Sequence, residues 1–259
     1  MRRSLTVASV LLSGLMLATP ALAQKTLRWG TEASYPPYEY KSASGEIIGF
    51  DVDLVQAMCA EMKAKCTFVD QAFDGLIPGL QAKKFDAIAA AMTITAEREK
   101  AVLFTKKLYT DVNMFVGKSG QKIDTSMAGL KGKSVAVQQG TVQDKYLSKH
   151  AAGATIKRYK SIEDAFSDLL SGRADLVFAD GPVCNDFLKS PRGKGLEIVG
   201  SPVAASADPE VLGKGKGYAV RKTDTQLVQD LNKAYDTLIA NGTAKKIADK
   251  YFKYDVYGK

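Results

Sequence analysis

The sequence predicts an α/β protein built as two similar lobes. Hydrophobic spacing alternates between the period of a half-buried strand and that of an amphipathic helix, in the order β-α-β-α-β, and the same cycle begins again after residue 118. A weak internal repeat points the same way. GLIPGLQAKKFDAIAAA and AFSDLLSGRADLVFAD each run from an amphipathic helix through a basic end into a strand, with Asp86 and Asp175 at matching places.

In chain order, LRWGTE reads as a strand and DVDLVQAMCAEMKA as a helix, because Val52, Val55, Met58, Cys59 and Met62 recur at helical spacing. CTFVD is a strand, FDGLIPGLQAKK a helix and DAIAAA a strand. In the second cycle SVAVQQG, ATIKRYK and ADLVFAD are strands, separated by the helices TVQDKYLSKH and SIEDAFSDLLSGR. The last third departs from this alternation. GKGYAVRK reads as a strand, TQLVQDLNKAYDTLIANG as a long helix stopped by Gly242, and TAKKIADKYF as a final helix.

The N-terminus stands apart from these elements. Met1-Arg2-Arg3 is a basic start, Leu5 to Leu17 an apolar run, and Ala21-Leu22-Ala23 an A-x-A cleavage site, the pattern of a secretory signal peptide over residues 1–23 with Gln24 first in the mature chain. The apolar run is too short to span about 30 Å of hydrocarbon, and Pro20 interrupts it. No cysteine follows the cleavage site, so no lipid anchor is expected. The mature protein reads as exported and soluble, in a bacterial periplasm. About 235 residues remain, enough for one large or two small cores.

Three cysteines in an exported chain invite pairing. Cys59 and Cys66 flank a helix end and the following strand, and closing that small loop contributes about 2.5 kcal/mol by chain entropy. Cys184 is left over and reads as a buried small apolar residue. The net charge is +8, with Arg2 and Arg3 inside the leader. The lysines are scattered rather than gathered into a stripe, so a solvated face is expected and not a nucleic-acid surface. Exposed charges are screened within about 8 Å, which leaves the preference of a buried site to its own residues.

The most telling stretch runs from Arg28 to Arg98, with RWGTEASYPPYEY, GEIIGFDVDL and FDGLIPGLQAKKFDAIAAAMTITAER. An acid (Glu32) and aromatics (Tyr35, Tyr38, Phe73) precede one arginine, Arg98, that follows a T-I-T turn. These residues can grip a small zwitterion at both ends. In this order and spacing, and on through the closing DKYFKYDVYGK, the chain from about Lys25 to Lys259 resembles the periplasmic polar-amino-acid-binding proteins of ABC importers. The resemblance is to their lysine/arginine/ornithine and histidine branch, in bacterial solute-binding protein family 3.

The resemblance implies a two-lobed periplasmic-binding-protein fold, each lobe a mixed sheet flanked by helices, with two strand-like hinge crossings that close around ligand. It places the first lobe at residues 24–109 and 215–259, the second at 113–203, and the crossings at 110–112 and 204–214. It implies a monomer that hands a basic amino acid to a permease in the inner membrane, with no cofactor, no metal and no nucleic acid.

For the ligand's carboxylate, Arg98 offers a planar bidentate donor that no lysine matches, and a helix beginning near Thr141, after QQG, offers unpaired N–H groups. The resemblance puts Arg98, Thr93 and Thr141 on that carboxylate. Asp180 ends a strand before Gly181-Pro182 and can project from the carboxyl edge of a sheet; the resemblance sets it against the α-ammonium. The competing role for Asp180 is a helix N-cap ahead of Pro182. Tyr35 and Phe73 are implied to sandwich the ligand's stem, and Ala90, Ala91, Gln138 and Gln143 complete the implied set. Tyr38 suits a lobe core equally well.

Glu32 stands where this branch carries an acid for the ligand's distal cation; many relatives have Asp there. Ala90 and Ala91 depart from a hydroxyl-bearing pair, which removes a hydrogen bond of about 0.5–1.5 kcal/mol. Arginine, with five donors, tolerates that loss best. The E-A-S-Y and A-A-M pattern is also similar to binders of arginine-derived opines such as octopine or nopaline, although Asp180 suits a primary α-ammonium better. An exported cyclohexadienyl dehydratase uses the same fold, but no nucleophile–base pair stands out here, and the one histidine, His150, lies in a polar YLSKHAAG stretch expected at an exposed helix end.

Overall fold

The computed structural model describes residues 25–257; the expected signal peptide and its cleavage site lie outside them. The first half runs β1 (Thr26–Thr31), β2 (Ser34–Tyr35), β3 (Glu39–Lys41), β4 (Ile47–Ile48), α1 (Phe50–Glu61), β5 (Lys65–Asp70), α2 (Leu76–Gln81), β6 (Ala87–Ile88), α3 (Ala96–Ala101) and β7 (Val102–Phe104). There follow β8 (Asn113–Lys118), β9 (Ser134–Gln138), α4 (Val142–His150), β10 (Thr155–Tyr159), α5 (Ile162–Ser171), β11 (Leu176–Asp180) and α6 (Gly181–Lys189). The remainder is β12 (Leu196–Val203), α7 (Pro209–Leu212), β13 (Ala219–Arg221), α8 (Thr225–Ala240) and α9 (Thr243–Tyr251).

Two five-stranded mixed sheets carry the fold, in the orders β5-β1-β6-β13-β7 and β10-β9-β11-β8-β12. Position by position they match. The first three strands of each are parallel, and the last two pair antiparallel. The repeat read from the sequence extends to single atoms. Asp86 Oδ2 accepts the backbone N–H of Arg28 in β1 at 3.1 Å, and Asp175 Oδ2 accepts that of Ser134 in β9 at 2.7 Å. Each aspartate ties the start of one strand to the start of its parallel neighbour.

The match has one covalent exception: β13 comes from the last third of the chain yet sits inside the first sheet, between β6 and β7. Helices α8 and α9 follow it back onto α1 through an apolar face that includes Leu231, Leu238 and Ile247. Trp29 of β1 is wholly buried, with Tyr218 edge-on at 5.4 Å. The second sheet is packed around Phe115 and Phe178, stacked at 4.2 Å.

Several expected elements are shorter or differently built. DAIAAA forms a ladder only at Ala87 and Ile88, because the chain then turns out of the sheet, with Ala91 at φ 42°. FDGLIPGLQAKK splits into a 3₁₀ turn at Phe73–Gly75 and a six-residue helix. The second passage between sheets is not a plain strand. It holds a 3₁₀ turn at Ala205–Ala207 and the helix α7, capped by the Asp208 side chain. The small β2-β3-β4 sheet and strands β8 and β12 were not anticipated, and the helix α6 was anticipated only as the competing role of Asp180. Among the described residues no helix is long and apolar enough to cross a membrane.

Cys59 and Cys66 are joined and Cys184 is buried, as the sequence led us to expect. The bridge ties the end of α1 to the start of β5. Replacing both cysteines by alanine should lower stability by about 2–3 kcal/mol, measured by urea unfolding, while Cys184 resists thiol reagents until the protein unfolds. An unchanged unfolding midpoint would show the bridge to be dispensable.

Candidate functional site

Parallel strands expose their last residues along one edge, and the connections that leave those ends can converge there. In this molecule the carboxyl ends of β1, β6, β9 and β11 are followed by or include Glu32, Ala90 and Ala91, Gln138 and Asp180. Between the sheets lies a small, nearly filled cavity with free space of only about 10 Å³. Tyr35, Phe73, Ala90, Ala91, Thr93 and Arg98 line it from the first-sheet side. Gln138, Thr141, Gln143 and Asp180 line it from the second, and Val142 and Lys216 complete it. Every residue expected at the site is therefore brought together except Glu32.

Arg98 is buried in α3, whose N-cap is Thr95. Its guanidinium donates to the carbonyl oxygens of Thr93 at 2.8 Å and Gly140 at 3.1 Å, the second bond reaching across to the other sheet's loops. The Phe73 ring lies under it at 5.3 Å, a cation–π contact, so Phe73 holds the arginine as well as walling the cavity. Burial brings the Arg98 pKa down to about 10, still charged at neutral pH.

Thr141 caps α4. Its hydroxyl accepts the N–H of Asp144 and donates to the Gln138 carbonyl at 2.8 Å, which fixes the first turn of the helix against β9. Gln138 donates its own amide to the Lys160 carbonyl. Asp180 occupies the N-cap position of α6 but makes no cap hydrogen bond. Its oxygens face the cavity instead. Oδ1 accepts from Gln143 and from Lys216, both at 2.8 Å, and Oδ2 accepts from the Tyr35 hydroxyl at 2.9 Å. In this structure the carboxylate makes cavity contacts and no cap bond.

Lys216 is the residue that sequence reasoning missed. It was counted among the scattered surface lysines, yet it is only 3% exposed. Besides Asp180, its ammonium meets Thr93 Oγ1 at 3.2 Å and Asp111 Oδ2 at 3.6 Å. Its backbone is gripped on both sides, with Lys216 N–H bonded to the Tyr109 carbonyl and bridges to Thr93 and Tyr109. Gly213 and Gly215 make this possible. Both have positive φ, and a Cβ would come within 2.3 Å of the Ile94 carbonyl oxygen at the first and 2.8 Å of the Tyr109 carbonyl oxygen at the second. A lysine between glycines, in a segment passing between sheets, was the available signal. Asp111 was missed too; it accepts from the Tyr38 hydroxyl at 2.6 Å, which makes Tyr38 a buried structural partner. Burial and the nearby Asp180 charge push the Asp111 pKa up.

A buried network positions the Ala90–Ala91 wall. Asp51, fully buried in α1, accepts the Ala91 N–H at 2.8 Å and the hydroxyls of Tyr109 at 2.8 Å and Tyr218 at 3.1 Å. His150, expected at an exposed helix end, does end α4 but is half-buried, with Nε2 2.6 Å from Asp208. Among the described residues no group of three or more His, Cys, Asp or Glu side chains could hold a metal ion.

Glu32 is the one expected residue that stands off the cavity lining. It is buried just past β1 but does not line the cavity, because its Oε1 folds back onto the Ser34 hydroxyl two residues on. Its Oε2 makes no hydrogen bond of good geometry among the described residues, although the Gln138 side chain lies close enough to favour the charged form. Burial raises its pKa from 4.5 to about 6. The folded protein therefore binds more protons than the unfolded chain in that interval, so stability falls as pH rises through it. A shift of this size amounts to about 2 kcal/mol. Glu32→Gln should raise the unfolding free energy by up to about 2 kcal/mol at pH 7.5 and leave it unchanged at pH 4. Urea unfolding at both values is the measurement, and a loss of stability at pH 7.5 would contradict a strained carboxylate.

Residues 27–254 match the model of the bacterial extracellular solute-binding proteins, family 3. The L-arginine-binding protein of Pseudomonas aeruginosa is 45% identical over 261 residues, covering 100% of this chain and 99% of that protein. The histidine-binding periplasmic protein of Salmonella typhimurium is 41% identical over 244 residues, covering 93% and 92%. Among solved structures, a periplasmic binding protein of Salmonella typhimurium with high arginine specificity superimposes with a TM-score of 0.82 at 37% identity, covering 88% of this chain and 100% of that one. With its paired mixed sheets, its cavity between them and this likeness along nearly the whole described chain, the protein belongs to the bacterial extracellular solute-binding proteins of family 3.

Proposed function

We propose that the chain is a periplasmic receptor that takes a basic L-amino acid between its lobes, arginine ahead of lysine, ornithine and histidine, and delivers it to an ABC permease of the inner membrane. The observation that carries this is the convergence in one cavity of a buried guanidinium, Arg98, and a buried carboxylate, Asp180, with Tyr35 and Phe73 between the same walls. A zwitterion meets opposite charges at its two head groups. Arg98 spends two donors on carbonyls and has others for the α-carboxylate, together with N–H groups at the Thr141-capped start of α4. The α-ammonium goes to Asp180, which has acceptor capacity left at Oδ2.

The distal cation goes to Glu32, whose side chain turns from Ser34 to meet it. An oxygen without a well-formed hydrogen bond and a raised pKa favour that move, since a cation relieves the cost of a buried carboxylate. Without hydroxyls at Ala90 and Ala91, the side chain is recognised by charge and stacking, which suits a guanidinium. The lobes are 24–109 with 215–259, and 113–203. The place of β13 between β6 and β7 supports the return of the tail. Closure brings Lys160 onto Asp74 at 2.6 Å and Lys145 onto Glu97 across the cleft. The receptor acts as a monomer after cleavage following Ala23, and does no chemistry on its ligand.

In a thermal-shift screen of the twenty amino acids with ornithine, octopine and nopaline, arginine should give the largest shift. At a hundredfold excess over its dissociation constant it should add about 2.7 kcal/mol. Arg98→Ala should weaken arginine, lysine and ornithine alike by calorimetry; a loss confined to one would sink the carboxylate assignment. Glu32→Gln should cost arginine a few kcal/mol, because charge-assisted bonds are about twice as strong as neutral ones, and cost citrulline little. In the unsubstituted protein, arginine affinity should fall as pH drops from 7.5 to 5, as Glu32 protonates, with citrulline unaffected. Equal losses for both ligands would leave Glu32 a purely structural residue.

A further inference from the structure

Both oxygens of Asp180 are already engaged from within the protein: Oδ1 by Lys216 and Gln143, Oδ2 by the Tyr35 hydroxyl. The Lys216 ammonium is 4% exposed at its side chain, faces Thr93 on the carboxylate side of the cavity, and has Asp111 as a second counter-charge. We propose that Lys216 is a resident cation that determines ligand specificity, neutralising Asp180 in place of a ligand's α-ammonium and so admitting ω-guanidino carboxylic acids that have no α-amino group.

The inference rests on the reading of the cavity as an amino-acid site. In a site whose aspartate depends on the ligand for its cation, a ligand without the α-ammonium strands a buried carboxylate, and the unpaired charge excludes that ligand. Here the internal ammonium removes that penalty. Lys216 serves two carboxylates, Asp111 and Asp180, and the buried Arg98 guanidinium adds a second positive charge that acts on Asp180, so Asp180 keeps a counter-charge whether or not the ligand brings an ammonium. Burial pulls the Lys216 pKa down, but Asp111 and Asp180 together outweigh it and hold it above the ordinary lysine value. An α-amino ligand is still accommodated. A carboxylate oxygen accepts two hydrogen bonds, and Oδ2 carries only the one from Tyr35. The contact of Lys216 with Thr93 Oγ1 at 3.2 Å places a further cation beside the carboxylate subsite. The receptor then takes both arginine and its des-amino counterpart, selecting on the carboxylate and the guanidinium.

The test is calorimetric titration of the mature protein with L-arginine and with 5-guanidinopentanoate, which is arginine without its α-amino group. In the unsubstituted protein the two dissociation constants should lie within about tenfold of each other, the scale of one ordinary hydrogen bond. In Lys216→Met the gap should widen to about a hundredfold or more, because Asp180 then depends on the ligand's ammonium. Lys216→Gln, which keeps a donor but no charge, should widen it in the same direction, and is the fallback should the methionine variant not fold. Arginine binding with 5-guanidinopentanoate weaker by a thousandfold in the unsubstituted protein would overturn the proposal and leave the receptor reading intact. So would an unchanged gap in a folded Lys216 variant. No arginine binding by the unsubstituted protein would sink both.

Discussion

The ammonium of Lys216, 2.8 Å from Asp180 and 3.6 Å from Asp111, joins three parts of the chain that are far apart in sequence. Asp111 lies in the first passage between the sheets, Lys216 in the second, and Asp180 at the end of β11 in the second sheet. A charge removed from water costs several kcal/mol unless it is paired and hydrogen-bonded. The three groups are buried as one another's counter-charges, and their contacts link the two sheets near their carboxyl ends. The hydroxyls of Tyr35 and Tyr38, both from the first lobe, complete the arrangement by donating to Asp180 and Asp111. Asp180 and Lys216 of this cluster line the cavity directly.

A second buried polar network gives the cavity its rigid wall. Asp51 draws the Ala91 N–H out of the sheet and is itself held by two tyrosine hydroxyls. Buried hydrogen bonds of this kind stiffen a core because each bond lost would leave a buried group unpaired. The left-handed backbone at Ala91 is strain supported by that carboxylate. The two networks divide the work: Asp51 shapes the wall, and the lysine cluster sets the charge of the site.

Much of the scaffold was legible in the chain. Alternating periods located the parallel strands and their helices, since burial on one face imposes a spacing that can be read locally. The match of Asp86 with Asp175 foretold two sheets of the same plan. The cavity lining was legible through the resemblance: of the residues it implied, only Glu32 stands off the lining, and there a local bond to Ser34 competes with the cavity. Legibility failed where an element depends on distant partners. β6 ends early because Asp51 pulls its continuation away, and the second passage coils because Asp208 can cap a helix there. Strands β8 and β12 are ordered by antiparallel pairing with segments far along the chain.

The sequence by itself determined the repeating βαβ plan, the Cys59–Cys66 bridge and the residue types that a zwitterion needs, because each follows from spacing along a short stretch. Only the tertiary structure decided which charges meet. A lysine among many reads as a solvated side chain until Gly213 and Gly215 let its backbone pack between Thr93 and Tyr109. Then its ammonium, shut off from water, must find Asp180 and Asp111. Burial turns a scattered charge into part of a site, and burial is a property of the folded whole.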